Sequence, residues 1–173
     1  MLTKEELVDL LINDVAAFNK AVSSDDYDLS ETDLSNLTIE GAIFNNVDMT
    51  SSSFSDSQLT DVKFINCDLT SVDFTRTKII ECNFSESVLN GADFSYSTVN
   101  YCGFPDSDMA GAIVMETDLS NSDFSMSENM SACRYDDTTV WPDSEYLPED
   151  FDASYTDDLS SLKDEDDYEP SDY

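Results

Sequence analysis

A large apolar residue recurs at every fifth position through the middle of the chain, and this spacing excludes most ordinary folds. In the stretch CDLTSVDFTRTKIIECNFSE (67–86), Leu69, Phe74, Ile79 and Phe84 follow the rule. An α-helix has 3.6 residues per turn and a β-strand alternates its side chains every two residues, so neither places every fifth residue on one face. The chain therefore needs a different architecture.

The five-residue frame holds without a break from residue 29 to residue 124. All twenty central positions are apolar, whereas chance at 40% apolar content gives about eight. The residue just before each centre is often Asp, and the two after it are mostly small, polar or acidic, which suits turns. The central residues are Leu29, Leu34, Ile39, Phe44, Met49, Phe54, Leu59, Phe64, Leu69, Phe74, Ile79, Phe84, Leu89, Phe94, Val99, Phe104, Met109, Val114, Leu119 and Phe124.

A second period of twenty residues specifies the geometry further. The centres can be divided into four sets, each with members twenty residues apart. Phenylalanine fills one whole set and is missing from two others. A coil of twenty residues with four sides explains this distribution. Like residues would then stack at the strand spacing of about 4.8 Å, ring on ring. The all-phenylalanine set is Phe44, Phe64, Phe84, Phe104 and Phe124.

Over residues 27–126 the pattern resembles the pentapeptide-repeat family, whose consensus is roughly Ala-(Asp/Asn)-Leu-x-x. The segments TDLSN (32–36 and 117–121) and GADFS (91–95) are close to it, and DDTTVWPD (136–143) is similar to the way such repeats end. The resemblance implies an all-β solenoid, a right-handed quadrilateral β-helix of about five coils. We divide the chain into a capping helix (1–26), the β-helix (27–126), a closing segment (127–143) and an acidic, flexible tail (144–173).

Both ends of such a stack need covers, because no coil buries its own faces. Residues 3–22 predict a helical lid with a capping box at Thr3 and Glu6. An amphipathic membrane helix is the rival interpretation, but this segment lacks a basic face. At the other end we expect Tyr135, Val140 and Trp141 to close the last coil. The apolar stripe of the lid is Leu7, Leu10, Leu11, Val15, Phe18 and Val22.

The composition argues against an enzyme. Without His and with only four Gly, the usual general base, the Ser-His-Asp arrangement and a phosphate-binding loop are missing, and we predict no cofactor and no metal. The four cysteines read as reduced, buried thiols, although the spacing of Cys82 and Cys102 on adjacent coils permits a disulfide. With no signal peptide or membrane span in the sequence, we expect a cytoplasmic location in a bacterial cell, for a host or phage gene.

The formal charge of −32 disfavours nucleic acid and anionic membranes as partners and favours basic surfaces. Between residues 27 and 126 there are 17 acids and 3 bases, which over a rod of roughly 24 Å is one net charge per about 1.7 Å, close to duplex DNA. Two groups of outward Asp on adjoining faces and the tail acids are the candidate partner-binding residues: Asp28, Asp48, Asp68 and Asp108; Asp33, Asp73 and Asp93; and Asp164, Glu165, Asp166 and Asp167.

Two interpretations of these acids remain open. One is that Asp is ordinary family consensus on a solvated face and that the tail only solubilises. The other is mimicry of DNA, because some pentapeptide-repeat proteins are DNA mimics that bind type II topoisomerases, notably gyrase. Acidic mimics also occur among phage-encoded inhibitors of restriction and CRISPR nucleases. No interrupting loops and no hydrophobic C-terminal dimerisation helix are visible, so we favour a monomer.

The sequence thus predicts a non-enzymatic DNA mimic that binds the DNA site of a topoisomerase or a defence nuclease. The alternative is a structural or scaffolding module whose tail solubilises the protein or recruits a partner.

Overall fold

A computed structural model describes residues 2–22 and 27–152 and the backbone of residues 157–158. From residue 27 onward the chain winds into a four-sided β-solenoid, which confirms the predicted fold class. Two helices precede it, and two short 3₁₀ helices, Met130–Ala132 and Ser144–Tyr146, follow the last full coil. The elements are α1 (Lys4–Asn13), α2 (Val15–Ala21), β1 (Tyr27–Asp28), β2 (Thr38–Glu40), β3 (Ile43–Asn45), β4 (Val47–Asp48), β5 (Gln58–Thr60), β6 (Lys63–Ile65), β7 (Lys78–Ile80), β8 (Thr98–Asn100), β9 (Arg134–Tyr135) and β10 (Asp157–Asp158).

Successive coils pair in parallel with a register of twenty residues. Phe44 lies over Phe64 where β3 pairs with β6, and Leu59 lies over Ile79 where β5 pairs with β7. On the side that starts with Asp28, bridges continue rung by rung to Glu128, five steps of twenty residues away. The five-residue period is therefore one side of a square coil, and the twenty-residue period is one complete turn.

Each corner of the coil is a residue in the left-handed region of backbone space. Every fifth residue from Glu31 to Glu116 has a φ between 50° and 69°. The N–H of the corner residue donates to a carbonyl on the next coil, as Glu31 does to Thr50 at 2.8 Å. A change of direction every five residues leaves room for only two or three residues of strand on each side, which explains why the strands are so short.

The core is the column of side chains inside the square. All twenty central residues predicted from the five-residue frame are buried. Phenylalanines on the same side stack with ring centroids 4.3–5.3 Å apart and interplanar angles of 3–13°. Phenylalanines on opposite sides of the square, ten residues apart, meet edge to face across the core at 5.8–6.2 Å, a contact that the sequence did not predict. Both geometries suit the ring quadrupole.

The residue two positions before most centres is also buried, and several with a hydroxyl group form a hydrogen bond to the preceding coil. The hydroxyl of Thr77 donates to the carbonyl of Phe54 at 2.8 Å, and that of Ser122 donates to Val99 at 2.7 Å. These bonds satisfy buried hydroxyl groups, whereas Ala92 and Val72 fill the same position with apolar side chains. All four cysteines are buried free thiols, as predicted.

The N-terminal lid consists of two helices instead of the single helix that the sequence predicted. The capping box of Thr3 and Glu6 is confirmed. The break lies at Asp14, whose backbone (φ −152°, ψ 78°) leaves the helical region and whose side chain accepts a hydrogen bond from the N–H of Ala17 at 3.0 Å. Asp14 thus ends α1 and caps α2, because a short carboxylate competes well for free N–H groups at a helix start.

The two helices cover the first coil with their shared apolar stripe. Four residues of the predicted stripe are buried, and Phe18 packs edge to face on Phe44 at 5.1 Å. Asn19 accepts the N–H of Ile43 at 2.8 Å and donates to the carbonyl of Gly41 at 2.9 Å, which protects the open strand edge. Neither helix of this lid, nor any other helix in the described residues, is long and apolar enough to span a membrane.

The other end of the solenoid is closed by an irregular segment. Asp136 is buried, and its carboxylate accepts the corner N–H of Glu116 at 3.2 Å, where earlier coils supply a carbonyl. Tyr135 is buried as predicted, and Trp141 lies between it (5.7 Å) and Phe151 (5.0 Å). The chain therefore contacts the rod as far as Phe151.

Val140 was predicted to help close the last coil, but its side chain does not do so. It is 50% exposed, and its backbone instead bonds to Thr117 and Leu119. The five-residue frame fails before this point, so the alternation that turns central residues inward no longer sets its orientation.

Candidate partner-binding site

The structure brings the predicted aspartates together in two vertical columns on adjoining sides of the rod. One of them, which we call the first acidic column, begins with Asp28, Asp48 and Asp68 on consecutive rungs. Val88 occupies the fourth rung, Asp108 the fifth and Glu128 the sixth. Neighbouring rungs are about 4.8 Å apart. Glu128 belongs to this column although sequence reasoning missed it, because the five-residue frame was counted only as far as residue 126.

The second acidic column consists of Asp33, Asp73 and Asp93, with Ser53 in register between the first two. Ile113 and Arg134 continue the same stack toward the C-terminal end. The column is thus acidic over its first four rungs and neutral or basic beyond them. Together the two columns place all seven predicted aspartates of the rod on one half of its circumference.

Every one of these aspartates also has a local structural role. Its Oδ1 accepts the backbone N–H of the residue two positions later, in the turn that leads to the corner. The distances run from 2.8 Å at Asp28 and Asp73 to 3.1 Å at Asp108. This bond fixes the carboxylate against the rod, so the charge is held at a defined place before any partner binds.

Other residue types make the same turn. Asn83 accepts the N–H of Ser85 at 2.8 Å through Oδ1, and the hydroxyl of Ser53 accepts that of Ser55 at 3.2 Å. An acceptor on a short side chain therefore supports the turn without a negative charge, and the turn also forms after Val88, which offers no acceptor.

The carboxylates differ in exposure and in pKa. Asp28, Asp33, Asp48 and Asp68 are exposed, and the other three are half-buried. A hydrogen bond from the Ser30 hydroxyl and a contact with Lys4, 3.0 Å away, lower the pKa of Asp28 to about 2. Hydrogen bonds from Ser35 likewise lower the pKa of Asp33.

A shallow groove of about 320 Å³ runs beside the first acidic column. Asp48 and Asp68 line one part of it, and Asn46 and Asn66 line another. The two asparagines are joined by a side-chain hydrogen bond of 2.5 Å between successive coils. The groove thus combines carboxylates with amides along the rod.

On the other two sides of the rod the outward residues before the centres carry no net charge, because Lys63 and Lys78 balance Asp118 and Asp123. Isoleucines such as Ile65 and Ile80 are half-buried there, and the remaining acids of this half, such as Asp61 and Glu81, lie at corners. Aspartates stacked at the outward positions are therefore a feature of the half that carries the two acidic columns. In the described residues no group of three or more Cys, Asp or Glu side chains is placed to hold a metal ion.

The predicted tail acids Asp164, Glu165, Asp166 and Asp167 lie outside the described residues. The backbone of β10 pairs in parallel with β9, at Asp157 opposite Arg134 and Asp158 opposite Tyr135. Arg134 is itself bridged to Ile113. The described part of the tail therefore adds one rung at the C-terminal end of the stack that contains the second acidic column.

Comparison with known proteins places the repeat in a family. A model described as "Pentapeptide repeat region" matches residues 57–132, and one described as "Pentapeptide repeats (8 copies)" matches residues 28–66. Neither describes a catalytic family. A search of curated proteins gave no match.

Several solved structures are similar to this chain. The pentapeptide repeat protein Rfr23 from the cyanobacterium Cyanothece 51142 is 18% identical over 60% of this chain and 63% of its own, with a TM-score of 0.36. A pentapeptide repeat protein from the Arabidopsis thaliana thylakoid lumen is 23% identical over 53% and 67%, with a TM-score of 0.34. A trypsin-treated variant of QnrB1, a plasmid-mediated fluoroquinolone resistance protein, is 9% identical over 79% and 89%, with a TM-score of 0.37.

Proposed function

Because this chain belongs to the pentapeptide-repeat family, whose repeat builds a rigid rod rather than a catalytic site, we propose that it acts as a DNA mimic. In this proposal it is a non-enzymatic protein that occupies the DNA-binding site of a DNA-handling enzyme and inhibits or modulates that enzyme. The two acidic columns are the surface that stands in for DNA phosphates.

The observation that carries the proposal is the placement of seven carboxylates on one half of a rigid rod. Each is tied to the backbone by a hydrogen bond of 2.8–3.1 Å. Charges that are already fixed lose little conformational entropy on docking, so more of their interaction energy remains as affinity. A basic cleft that binds phosphates would meet a comparable density of negative charge.

The predicted targets are type II topoisomerases such as gyrase and defence nuclease effectors of the CRISPR or restriction type. Both present basic clefts to DNA, and the attraction of such a cleft to this rod is long-range and weakens with salt. A cytoplasmic location, a monomeric state and participation of the tail acids Asp164–Asp167 are parts of the same proposal.

A scaffolding module is the second candidate function. It is favoured by one specific observation, which is that every aspartate of the columns makes a turn hydrogen bond and so has a reason to be present without any partner. In that case the rod spaces other molecules and its charge serves solubility.

The test is competition with DNA. Purified protein is titrated into gyrase or a defence nuclease from the same host, each bound to fluorescent duplex DNA, at 50 and 300 mM NaCl. The mimic displaces DNA at low salt and does so less well at high salt. Failure to displace DNA from every enzyme tested refutes the proposal.

A matched pair of triple variants locates the surface. Asp48, Asp68 and Asp108 are changed to Asn, which keeps the turn acceptor and removes three charges from the first acidic column. The control removes three charges from the opposite half of the rod with Glu40→Gln, Asp61→Asn and Glu81→Gln. The first variant should compete more weakly than the control, although both have the same net charge. Equal competition by the two would show that net charge alone, and not the column, is recognised.

A further inference from the structure

A cavity of about 560 Å³ lies near the C-terminal end of the rod, between the last full coil and the closing segment. Tyr101, Asn121, Asp123, Asp143 and Tyr146 are among the residues that line it. It sits at the corner between the two sides without acidic columns, diagonally opposite the edge that the two acidic columns share. The cavity is therefore a separate feature from the proposed DNA-mimicking surface.

The cavity arises because the regular corner geometry ends here. The unbroken series of positive-φ corners stops at Glu116. The next corner position is Asn121, one coil after Tyr101. The N–H of Tyr101 donates to the carbonyl of Asn121, twenty residues later, whereas that of Tyr96 donates to Met115, nineteen residues later. The covering rung comes from the closing segment, where the carbonyl of Tyr146 accepts the N–H of Phe124 at 2.8 Å.

Tyr101 occupies a position for which the fold does not require an aromatic residue. It is a corner residue with a φ of 58°, and it is 66% exposed. The left-handed conformation costs a residue with a Cβ roughly 1–2 kcal/mol, and only Gly, Asn and Asp adopt it readily. Burial does not offset this cost, so packing does not explain the ring. Unlike the exposed corner ring of Tyr96, the ring of Tyr101 lines the cavity and is available there for contact with a ligand.

The chemistry of the lining identifies the class of ligand. Two tyrosines and two aspartates, Asp123 and Asp143, share one cavity. A cation is attracted by the faces of aromatic rings, and a planar guanidinium also forms paired hydrogen bonds with a carboxylate. The overall charge of −32 disfavours anions. The guanidinium group of arginine satisfies both kinds of contact more fully than a compact ammonium group does.

We propose that this cavity binds the guanidinium group of an arginine side chain from a basic partner segment. The tyrosines supply cation–π contacts and the aspartates supply the counter-charge. The site takes one arginine as an anchor, in the manner of a hot spot at the centre of an interface. The inference goes beyond the proposed DNA mimicry and does not depend on it.

The test uses L-argininamide as the probe and L-citrullinamide as the control ligand, which keeps the α-amino group and replaces the guanidinium group by a neutral ureido group of nearly the same shape. Binding is followed by amide chemical shifts of the full chain at 150 mM NaCl. Argininamide should cause saturable shifts at Asn121, Asp143 and Tyr146, and citrullinamide should cause none. Shifts that spread evenly over the two acidic columns, without saturation, would overturn the proposal, because they are the signature of non-specific attraction.

Two tyrosine variants make the test independent of charge and of folding. Tyr101→Asn and Tyr96→Asn both leave the net charge unchanged, and both place a residue that tolerates the left-handed region, so neither should unfold the rod. Tyr96 has nearly the same φ (63°) and exposure (57%) but does not line the cavity. Tyr101→Asn should weaken argininamide binding about threefold or more, and Tyr96→Asn should leave it unchanged. Equal affinity in the two variants refutes the assignment.

The carboxylates are tested in the same way. Asp143→Asn should weaken binding, whereas Asp150→Asn, which removes the same charge outside the cavity lining, should not. If these two variants bind argininamide equally, the cavity does not supply the counter-charge and the proposal fails.

Discussion

The first acidic column should lower the stability of the fold, and the substitution Asp48→Asn measures by how much. Asp48 has a carboxylate on the rung below, Asp28, and another on the rung above, Asp68. At about 4.8 Å in water each pair repels by about 0.9 kcal/mol, and screening at 0.15 M salt reduces this to about 0.5 kcal/mol. Removing one charge between two others should therefore relieve roughly 1 kcal/mol.

The turn hydrogen bonds set a limit to this gain. Oδ1 of Asp48 accepts the N–H of Thr50 at 2.9 Å and its hydroxyl at 2.7 Å. Asparagine keeps the acceptor but loses the ionic strengthening, so we expect Asp48→Asn to raise the free energy of unfolding by roughly 0.5–1 kcal/mol. Asp48→Ala loses both bonds and should be less stable than Asp48→Asn by about 1–2 kcal/mol.

Urea unfolding at 0.05, 0.15 and 1 M NaCl measures these differences. The advantage of Asp48→Asn should be largest at low salt and disappear at 1 M, where the Debye length is about 3 Å. Asp56→Asn is the matched control, because Asp56 forms a two-point ion pair with Arg76 at 2.8 and 2.9 Å, and its loss should destabilise the protein. An advantage for Asp48→Asn that does not change with salt would refute the reasoning.

Three further predictions follow from the core and the N-terminal end. Phe84→Ala should lower the free energy of unfolding by about 3–5 kcal/mol, and Phe124→Ala, at the end of the stack, by less; equal losses in urea titrations would contradict this. Ser30→Ala should raise the pKa of Asp28 from about 2, measured by NMR titration of the carboxyl carbon, because the Ser30 hydroxyl is the main cause of the shift. An unchanged pKa of Asp28 in Ser30→Ala would exclude the hydroxyl as the cause. Since the folded pKa is depressed, Asp28 stabilises the protein fully above its unfolded pKa near 4, and this stabilisation is lost as the pH falls toward 2. All four thiols are buried, and burial raises the pKa of Cys67 to about 11. Ellman's reagent at pH 8 should therefore label the thiols only after unfolding, and rapid labelling of the folded protein would contradict their burial.

The regular part of the fold could be predicted from sequence because one physical constraint repeats twenty times. An inward position must be apolar in every coil, so errors at single positions average out, and even the stacking of Phe64 on Phe84 follows from the twenty-residue period. The two acidic columns follow from the same register. Glu128 was missed because its rung lies where the central positions stop repeating.

The remaining features depend on single residues and irregular segments. The corners from Glu31 to Glu116 have a positive φ, yet glycine or asparagine marks only some of them, and others are filled by residues as different as Glu, Arg and Tyr. The helix break at Asp14 carries neither proline nor glycine. The cavity beside Tyr101 depends on a closing segment whose path no period determines. The sequence pattern therefore predicts the structure that repeats in every coil, whereas tertiary contacts determine the features that occur only once.

In the acidic columns, the hydrogen-bonding role of each aspartate in its turn can be distinguished from the effect of its negative charge. A short side chain that accepts an N–H supports the turn before a corner, and Asn83 provides this acceptor without any charge. Asp28, Asp48 and Asp68 provide it too, but on consecutive rungs they repel one another. The turn alone therefore explains a hydrogen-bond acceptor and does not explain three adjacent charges. Because a neutral acceptor occurs on the same rod, the turn does not require these charges, and in the proposed DNA mimicry the basic cleft of the partner offsets the cost of their repulsion.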